Sequence, residues 1–212
     1  MSRVWNLTFH GVGEPLRPFD EGEEAVWISL DRLRATLDAL SGRPDACVTV
    51  DDGNASDRVH MACELRSRGL RGTFFVTVGR LGEPGFLTPD EVRELVASGM
   101  GVGSHGMAHR DWRHLDDAQL DRDLREARDA LEAIVGTAVT DAACPFGSYD
   151  RRVLRSLRRA GYRRVYTSDG GPARPDAWLQ ARTTVTHGSR MPWLEEHRAG
   201  MRPLKRMVKR WR

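Results

Sequence analysis

Two short stretches of the sequence contain residue types that could bind a metal ion. Residues 48–53 (VTVDDG) end an apolar segment with two adjacent carboxylates, which resist joint ionisation unless a cation or a shared proton relieves them. Residues 101–109 (GVGSHGMAH) contain His105 and His109, whose imidazoles would share one face of a helical turn. Asp52 with these two imidazoles is a common catalytic ligand set for a divalent ion such as zinc. Separately, each stretch is also compatible with an ion-free turn.

The elements that must position these residues follow an alternating pattern of strand and helix signals. This alternation predicts an α/β fold with a parallel sheet. Helices are predicted to begin at Ser29, Thr88 and Asp150, and the longest has an apolar stripe from Leu120 to Ile134. Runs of β-branched and aromatic residues predict seven strands, at 4–9, 46–50, 73–78, 101–104, 139–143, 164–167 and 182–186.

Polar or turn-forming residues follow most of these strands. Right-handed crossovers bring the carboxyl ends of parallel strands to one face, so we expect these residues to converge there. A closed barrel is favoured over an open doubly wound sheet, because no glycine-rich phosphate-binding sequence follows the first strand. The residues in these positions are His10, Asp51, Asp52, His105, Pro145, Phe146, Asp169 and His187.

Length and composition predict one soluble globular domain, covering residues 1–197. The chain has 212 residues, of which 40% are hydrophobic and 30% charged, enough for a sizeable core. No apolar run approaches the length of a membrane span. The first residues contain no apolar stretch typical of a signal peptide, and the three cysteines are scattered, so the sequence predicts a cytoplasmic protein.

The segment 198–212 is basic and contains no acidic residue. Its apolar residues recur at helical spacing, which favours a terminal helix packed on the domain. The alternative is an amphipathic segment that contacts the anionic inner face of a membrane. Nucleic acid is not an expected partner, because no basic platform with interleaved aromatic residues occurs elsewhere.

Three motifs resemble those of the polysaccharide deacetylases (NodB-like, carbohydrate esterase family four). Residues 49–53 (TVDDG) resemble the family's T-F-D-D-G motif, and residues 104–109 (SHGMAH) resemble its S/T-H-x-x-x-H metal motif. Residues 145–149 (PFGSY) are similar to its third motif. The matches lie within residues 46–170, in the family's order. The resemblance implies a distorted (β/α)7 barrel that hydrolyses the N-acetyl group of an amino sugar.

The resemblance also implies roles for the residues around the expected metal ion. Asp51 would be the general base, and Asp52 would bind the metal with His105 and His109. Zinc is the first expectation for the ion, with Co²⁺, Ni²⁺ or Mn²⁺ as alternatives. The ion would polarise the amide carbonyl and lower the pKa of a water molecule.

Other residues would complete the site around the substrate. The backbone N–H of Phe146 would stabilise the oxyanion, with Pro145 and Tyr149 beside the substrate. His187 is the first choice for the general acid that protonates the leaving amine, and His10 is the second. Asp169 would orient an imidazole or a substrate hydroxyl, unless it is simply a turn residue.

One departure from the family pattern leaves other functions open. Many members have an arginine two residues before the proline of the third motif, thought to orient the catalytic aspartate, and this chain has Ala143 there. The expected substrate is an amino sugar on a nucleotide or lipid carrier, or a small glycosylated metabolite. The alternatives are hydrolysis of a formamide or cyclic ureide, a sugar-binding pseudoenzyme, and a membrane or protein adaptor.

Overall fold

The structure is a computed structural model that describes residues 2–189. The predicted tail at 198–212 and the predicted domain boundary at 197 lie outside these residues. The described helices are α1 (Leu30–Leu40), α2 (Cys63–Ser67), α3 (Pro89–Ala97), α4 (Asp117–Val135) and α5 (Arg151–Arg159). The strands are β1 (Trp5–Phe9), β2 (Ala46–Asp52), β3 (Gly72–Val76), β4 (Gly101–Ser104), β5 (Asp141–Ala143), β6 (Arg164–Tyr166), β7 (Leu179–Gln180) and β8 (Arg182–Thr184).

The eight strands form one parallel sheet that closes into a barrel. The hydrogen-bonded order is β7-β6-β5-β4-β3-β2-β1-β8. Since only Ala181 separates β7 from β8, these two edge strands are parts of one extended segment, which pairs with β6 at its start and with β1 at its end. The predicted barrel is therefore confirmed. The last strand was predicted as one run over 182–186, but it begins at Leu179 and is divided between two neighbours.

Alternating side chains on the first two strands separate an apolar exterior from a polar interior. Leu7 and Phe9 of β1 and Val48 and Val50 of β2 pack in the main apolar cluster with residues of α1. Successive strand residues point to opposite faces, so the intervening threonines, Thr8 and Thr49, face inward. Their hydroxyl oxygens lie 2.9 Å apart in a hydrogen bond. The barrel interior can therefore hold charged side chains beneath the rim.

The predicted helix starts are confirmed by side-chain caps. The Ser29 hydroxyl accepts a hydrogen bond from the backbone of Arg32, Thr88 forms a capping box with Glu91, and Asp150 caps α5. After β2 the chain forms a wider π-helical segment, Asp57–Ala62, before it continues as α2. In the part of the chain that the structure describes, no helix combines the length and apolarity needed to cross a membrane.

Candidate metal centre and active site

The three predicted metal ligands converge at the carboxyl ends of β2 and β4. Asp52 Oδ1 lies 3.5 Å from His105 Nε2 and 3.3 Å from His109 Nε2. One ligand atom from each residue lies within 4.8 Å of the other two. Asp52 Oδ1 is buried and has no hydrogen-bond partner among the described residues, which is costly for a carboxylate unless a cation occupies the space. The donor set fits a divalent ion such as zinc.

The backbone adopts unusual conformations at the residues that build this centre. Asp52, His109 and Phe146 are the non-glycine residues with positive φ within 2–189, at 82°, 48° and 57°. Such conformations cost of order 1–3 kcal/mol each and cluster at functional sites. On a regular strand Asp51 and Asp52 would point to opposite faces, and the left-handed turn at Asp52 brings both carboxylates to the same cavity.

His105 is oriented by a contact on the side of its ring away from the cluster. Its Nδ1 lies 2.9 Å from the carbonyl oxygen of Ala143. The carbonyl can only accept a hydrogen bond, so Nδ1 carries the proton and Nε2 presents a lone pair to the cluster. Burial lowers the pKa of His105 to about 4, so the ring is neutral near pH 7. Neutral imidazole is the form that binds metal ions.

The loop that contains both histidines is anchored from below by Asp123 of α4. Its Oδ2 accepts hydrogen bonds from the Trp112 indole at 3.0 Å and from the Met107 backbone at 3.2 Å. Gly106 allows this approach, because it has φ +77° and a Cβ there would lie 2.4 Å from Asp123 Oδ2. Asp123 and Trp112 are both buried. They therefore support the histidine loop from the core and do not face the substrate side.

Asp51 is paired with an arginine that the sequence analysis did not single out. The two carboxylate oxygens of Asp51 accept hydrogen bonds from Arg182 Nη1 and Nη2 at 2.6 and 2.7 Å. Burial raises the pKa of Asp51, but the charge and hydrogen bonds of Arg182, together with the charges of His105 and His10, outweigh this effect and lower the pKa to about 2. Asp51 is therefore ionised near pH 7. A lone arginine in the β-branched run RTTVT was the available signal.

A cavity of about 740 Å³ opens above the cluster. One wall is the loop between β1 and α1, held by partly buried Arg17, which donates to Glu23 and to the Asn54 side chain beside the metal-ligand turn. Arg80 pairs with Asp20 on the same wall. The cavity-lining residues include His10, Asp20, Glu21, Glu23, Asp51, Asp52, Arg80, His105, His109, Phe146 and Thr184.

The two candidate acids occupy different cavities. His10 lines the cavity above the cluster, and its buried Nδ1 has no hydrogen-bond partner within residues 2–189. His187, the first choice from the sequence, is not among the residues that line this cavity. It lines a neighbouring cavity of about 690 Å³ with apolar residues such as Leu16 and Trp27. His187 lies past the end of β8, in a turn where the Ser189 backbone N–H donates to the Thr186 carbonyl oxygen.

Only part of the third motif, residues 145–149, lines the cavity. Pro145 is buried and begins a short 3₁₀ turn, and this turn places Phe146 on the cavity wall with its ring 4.6 Å from that of His109. Tyr149 is not a cavity-lining residue, because its hydroxyl donates to Asp169 Oδ2 at 2.8 Å. Asp169 also accepts from the Thr167 hydroxyl at 2.9 Å. These contacts favour the turn role of Asp169 over the orientation of an imidazole.

Comparison of the amino-acid sequence with known proteins finds similarity to polysaccharide deacetylases. A family model described as polysaccharide deacetylase matches residues 41–165. The chain is 22% identical over 162 residues to a putative polysaccharide deacetylase, YxkH, of Bacillus subtilis, covering 76% of this chain and 58% of that protein. It is 29% identical over 141 residues to a chitooligosaccharide deacetylase of Sinorhizobium fredii, covering 66% of this chain and 64% of that protein. The chain thus spans less than two thirds of either relative.

Structure comparison gives the same fold. A crystal structure of a polysaccharide deacetylase from Bacillus cereus superposes with a TM-score of 0.78 at 21% identity, over 92% of this chain and 68% of that chain. At this identity the likeness shows the fold alone. It agrees with the barrel described above.

Proposed function

This chain belongs to the polysaccharide deacetylase family, and we propose that it is a metal-dependent hydrolase that removes the N-acetyl group of an amino sugar. The observation that carries this proposal is the convergence of Asp52, His105 and His109 within 4.8 Å beside the ionised Asp51. The buried Oδ1 of Asp52 has no hydrogen-bond partner among the described residues. A cation between this oxygen and the two imidazoles would offset the cost of burying it.

A divalent ion held by these three residues would polarise the acetamide carbonyl and make an attacking water molecule more acidic. Asp51 accepts the proton of that water molecule as it attacks the carbonyl carbon. Arg182 uses one lone pair on each oxygen of Asp51, and each oxygen keeps another for the proton. Asp51 is thus charged, oriented and able to act as a general base.

The residues opposite Asp51 complete the reaction. The backbone N–H of Phe146, on the turn that lines the cavity, donates to the developing oxyanion. His10 donates a proton to the leaving nitrogen, because it lines the same cavity as Asp51 and its Nδ1 has no partner among the described residues. An amide nitrogen leaves poorly without this proton. His10 therefore replaces His187 as our first choice for the general acid.

The cavity supports a sugar substrate of modest size. Its volume of about 740 Å³ falls within the range of about 300–1,000 Å³ that is usual for small-ligand sites. Glu21 lines the wall, and its negative charge favours the ammonium group of the product. The Sinorhizobium relative is named for chitooligosaccharides. We propose an N-acetylated amino sugar for this chain, with a lipid or nucleotide carrier or a small glycosylated metabolite as the preferred context.

The test is release of acetate from N-acetylglucosamine, its short oligomers and a nucleotide-linked N-acetylglucosamine, with zinc added after chelation. We expect acetate release that requires the ion, and little formate release from the matching N-formyl sugars. Greater release of formate would favour the alternative amidohydrolase. The absence of turnover on every substrate, with zinc bound, would favour a sugar-binding pseudoenzyme.

The cytoplasmic location and the membrane contact stay predictions. The membrane contact depends on residues 198–212, which lie outside the described residues. Removal of this segment should leave acetate release from a soluble sugar unchanged while it lowers sedimentation with anionic vesicles.

A further inference from the structure

Arg182 lies inside the barrel and is completely buried, with 0% of its surface exposed. Its two terminal nitrogens contact the two oxygens of Asp51 in parallel, at 2.6 and 2.7 Å. This bidentate arrangement fixes the plane of the carboxylate as well as its distance. A lysine could neutralise the charge but could not fix the plane.

The guanidinium is itself held in place by other contacts. Nε donates to the carbonyl oxygen of Thr167 at 3.1 Å, and Nη1 also contacts the Thr49 hydroxyl at 3.3 Å. The guanidinium carbon lies 5.4 Å from the centre of the Phe75 ring and 5.9 Å from that of Tyr166. Cation–π contacts of this length add to its fixation. Arg182 therefore joins the ends of three barrel strands around one carboxylate.

The same surroundings explain why the chain can have alanine at position 143. Ala143 is buried against Phe75 and Tyr166, the two rings that Arg182 contacts. The small side chain leaves interior space, and the guanidinium of Arg182 enters this region from the closing strand. The arginine that the third motif lacks thus has a counterpart on β8.

We propose that Arg182 is a positioning residue for Asp51, and that it aims the remaining lone pairs of the carboxylate at the attacking water molecule. This inference rests on the proposed function of Asp51 as the base. The described hydrogen bonds of Arg182 go to Asp51, Thr49 and Thr167, and none goes to a predicted metal ligand. Arg182 acts through Asp51, so its loss should lower kcat and leave KM and zinc content unchanged. The departure at Ala143 then no longer favours a pseudoenzyme.

The test compares Arg182→Met and Arg182→Lys with wild type for kcat, KM and bound zinc. We expect Arg182→Met to lower kcat on the order of 10²-fold or more, within the range of effects on general-base catalysis, with KM changed less than threefold and zinc unchanged. Arg182→Lys should recover less than a tenth of the lost rate. The control is Arg43→Met, which removes a bidentate contact to Asp45 outside the cavity, and it should change kcat less than twofold.

Relocation of the arginine gives a sharper test of positioning. Adding Ala143→Arg to Arg182→Met should raise kcat at least tenfold above the single variant, because a guanidinium on β5 can reach Asp51 across the barrel interior, beside the same two rings. No gain in kcat, or a kcat of Arg182→Lys within threefold of wild type, would overturn the role of Arg182. Arg182→Lys keeps the charge and provides the result if Arg182→Met does not fold.

A measurement without metal separates this inference from the proposed function. In chelator, Arg182→Met should lower the melting temperature, and adding Asp51→Asn should restore at least half of the loss, because no unpaired charge then remains buried. No restoration would overturn the pairing. If wild type releases no acetate from any substrate while the melting temperatures behave as expected, the proposed function fails and the pairing stands.

Discussion

Asp51 and Asp52 are adjacent in the sequence but lie in opposite surroundings. On the arginine side of the cavity, both oxygens of Asp51 are satisfied by Arg182 at 2.6 and 2.7 Å. On the imidazole side, Asp52 Oδ1 lies 3.5 Å from His105 Nε2 and 3.3 Å from His109 Nε2 and has no hydrogen-bond partner among the described residues. The first carboxylate has its counter-charge in the protein. The second would receive one from the proposed bound ion, so two identical side chains are suited to different tasks.

The largest effect on activity is expected when the carboxylate ligand on the imidazole side is removed. Asp52→Ala should reduce bound zinc to less than about a tenth of the wild-type stoichiometry and lower kcat/KM on the order of 10³-fold or more, because the site loses its only anionic ligand. Metal analysis beside acetate release gives both numbers. The control is His60→Ala, which changes a histidine of the neighbouring cavity. A wild-type protein that binds no zinc would count against the whole centre.

Asp51→Asn should show that the arginine side serves catalysis and the imidazole side serves metal binding. The amide cannot accept the proton of the attacking water molecule, so we expect kcat to fall on the order of 10³-fold, within the usual range for a general base. Zinc content should stay at the wild-type value, because the three ligands are untouched. Turnover within tenfold of wild type would remove Asp51 from the base role, and parallel loss of zinc would make it a ligand.

The next largest effect on kcat is expected when the general acid is removed. His10→Ala should lower kcat on the order of 10²-fold for a substrate with a poor leaving group, whereas His187→Ala should change kcat less than threefold. An anilide with an activated leaving group should restore much of the rate in His10→Ala, because it needs less protonation. The reverse order of the two variants would return the acid role to His187.

The smallest effect concerns a third carboxylate, Asp57, just behind this pair. Burial, together with the charges of Asp52 and Asp51, raises the pKa of Asp57 well above its usual range. The folded protein keeps this proton, whereas the unfolded chain releases it above about pH 4. Wild-type stability should therefore fall as pH rises from about 4 towards the raised pKa. Asp57→Asn should not show this fall in stability, because the asparagine side chain has no proton to release.

Melting temperatures in chelator at pH 4, 5.5 and 7 test the role of Asp57. The difference between Asp57→Asn and wild type should become more positive at each step. Asp176→Asn is the control, because Asp176 is exposed and its hydrogen bond with Arg174 lowers its pKa, so its mutation should not give the rising difference expected for Asp57. A difference that does not vary with pH would contradict the assignment of the proton to Asp57.

The local signals in the sequence determined much of the fold and the metal-ligand set. Side-chain caps at Ser29, Thr88 and Asp150 are formed within three residues, so their sequences alone can specify them. Alternating apolar residues likewise locate β1 and β2, because the period of a strand is two residues. The ligands Asp52, His105 and His109 could be named because they lie at or shortly after the ends of two recognisable strands.

Only the tertiary structure decided which distant side chains meet inside the barrel. Arg182 and Asp51 are 131 residues apart, and no local pattern couples them. Their contact depends on closure of the sheet by β7 and β8. The folded chain also places His10 in the cavity above the cluster and His187, which lies past the end of β8, in the neighbouring one. Strand and turn propensities depend on neighbouring residues, whereas the contacts across a barrel depend on how every strand is packed and registered.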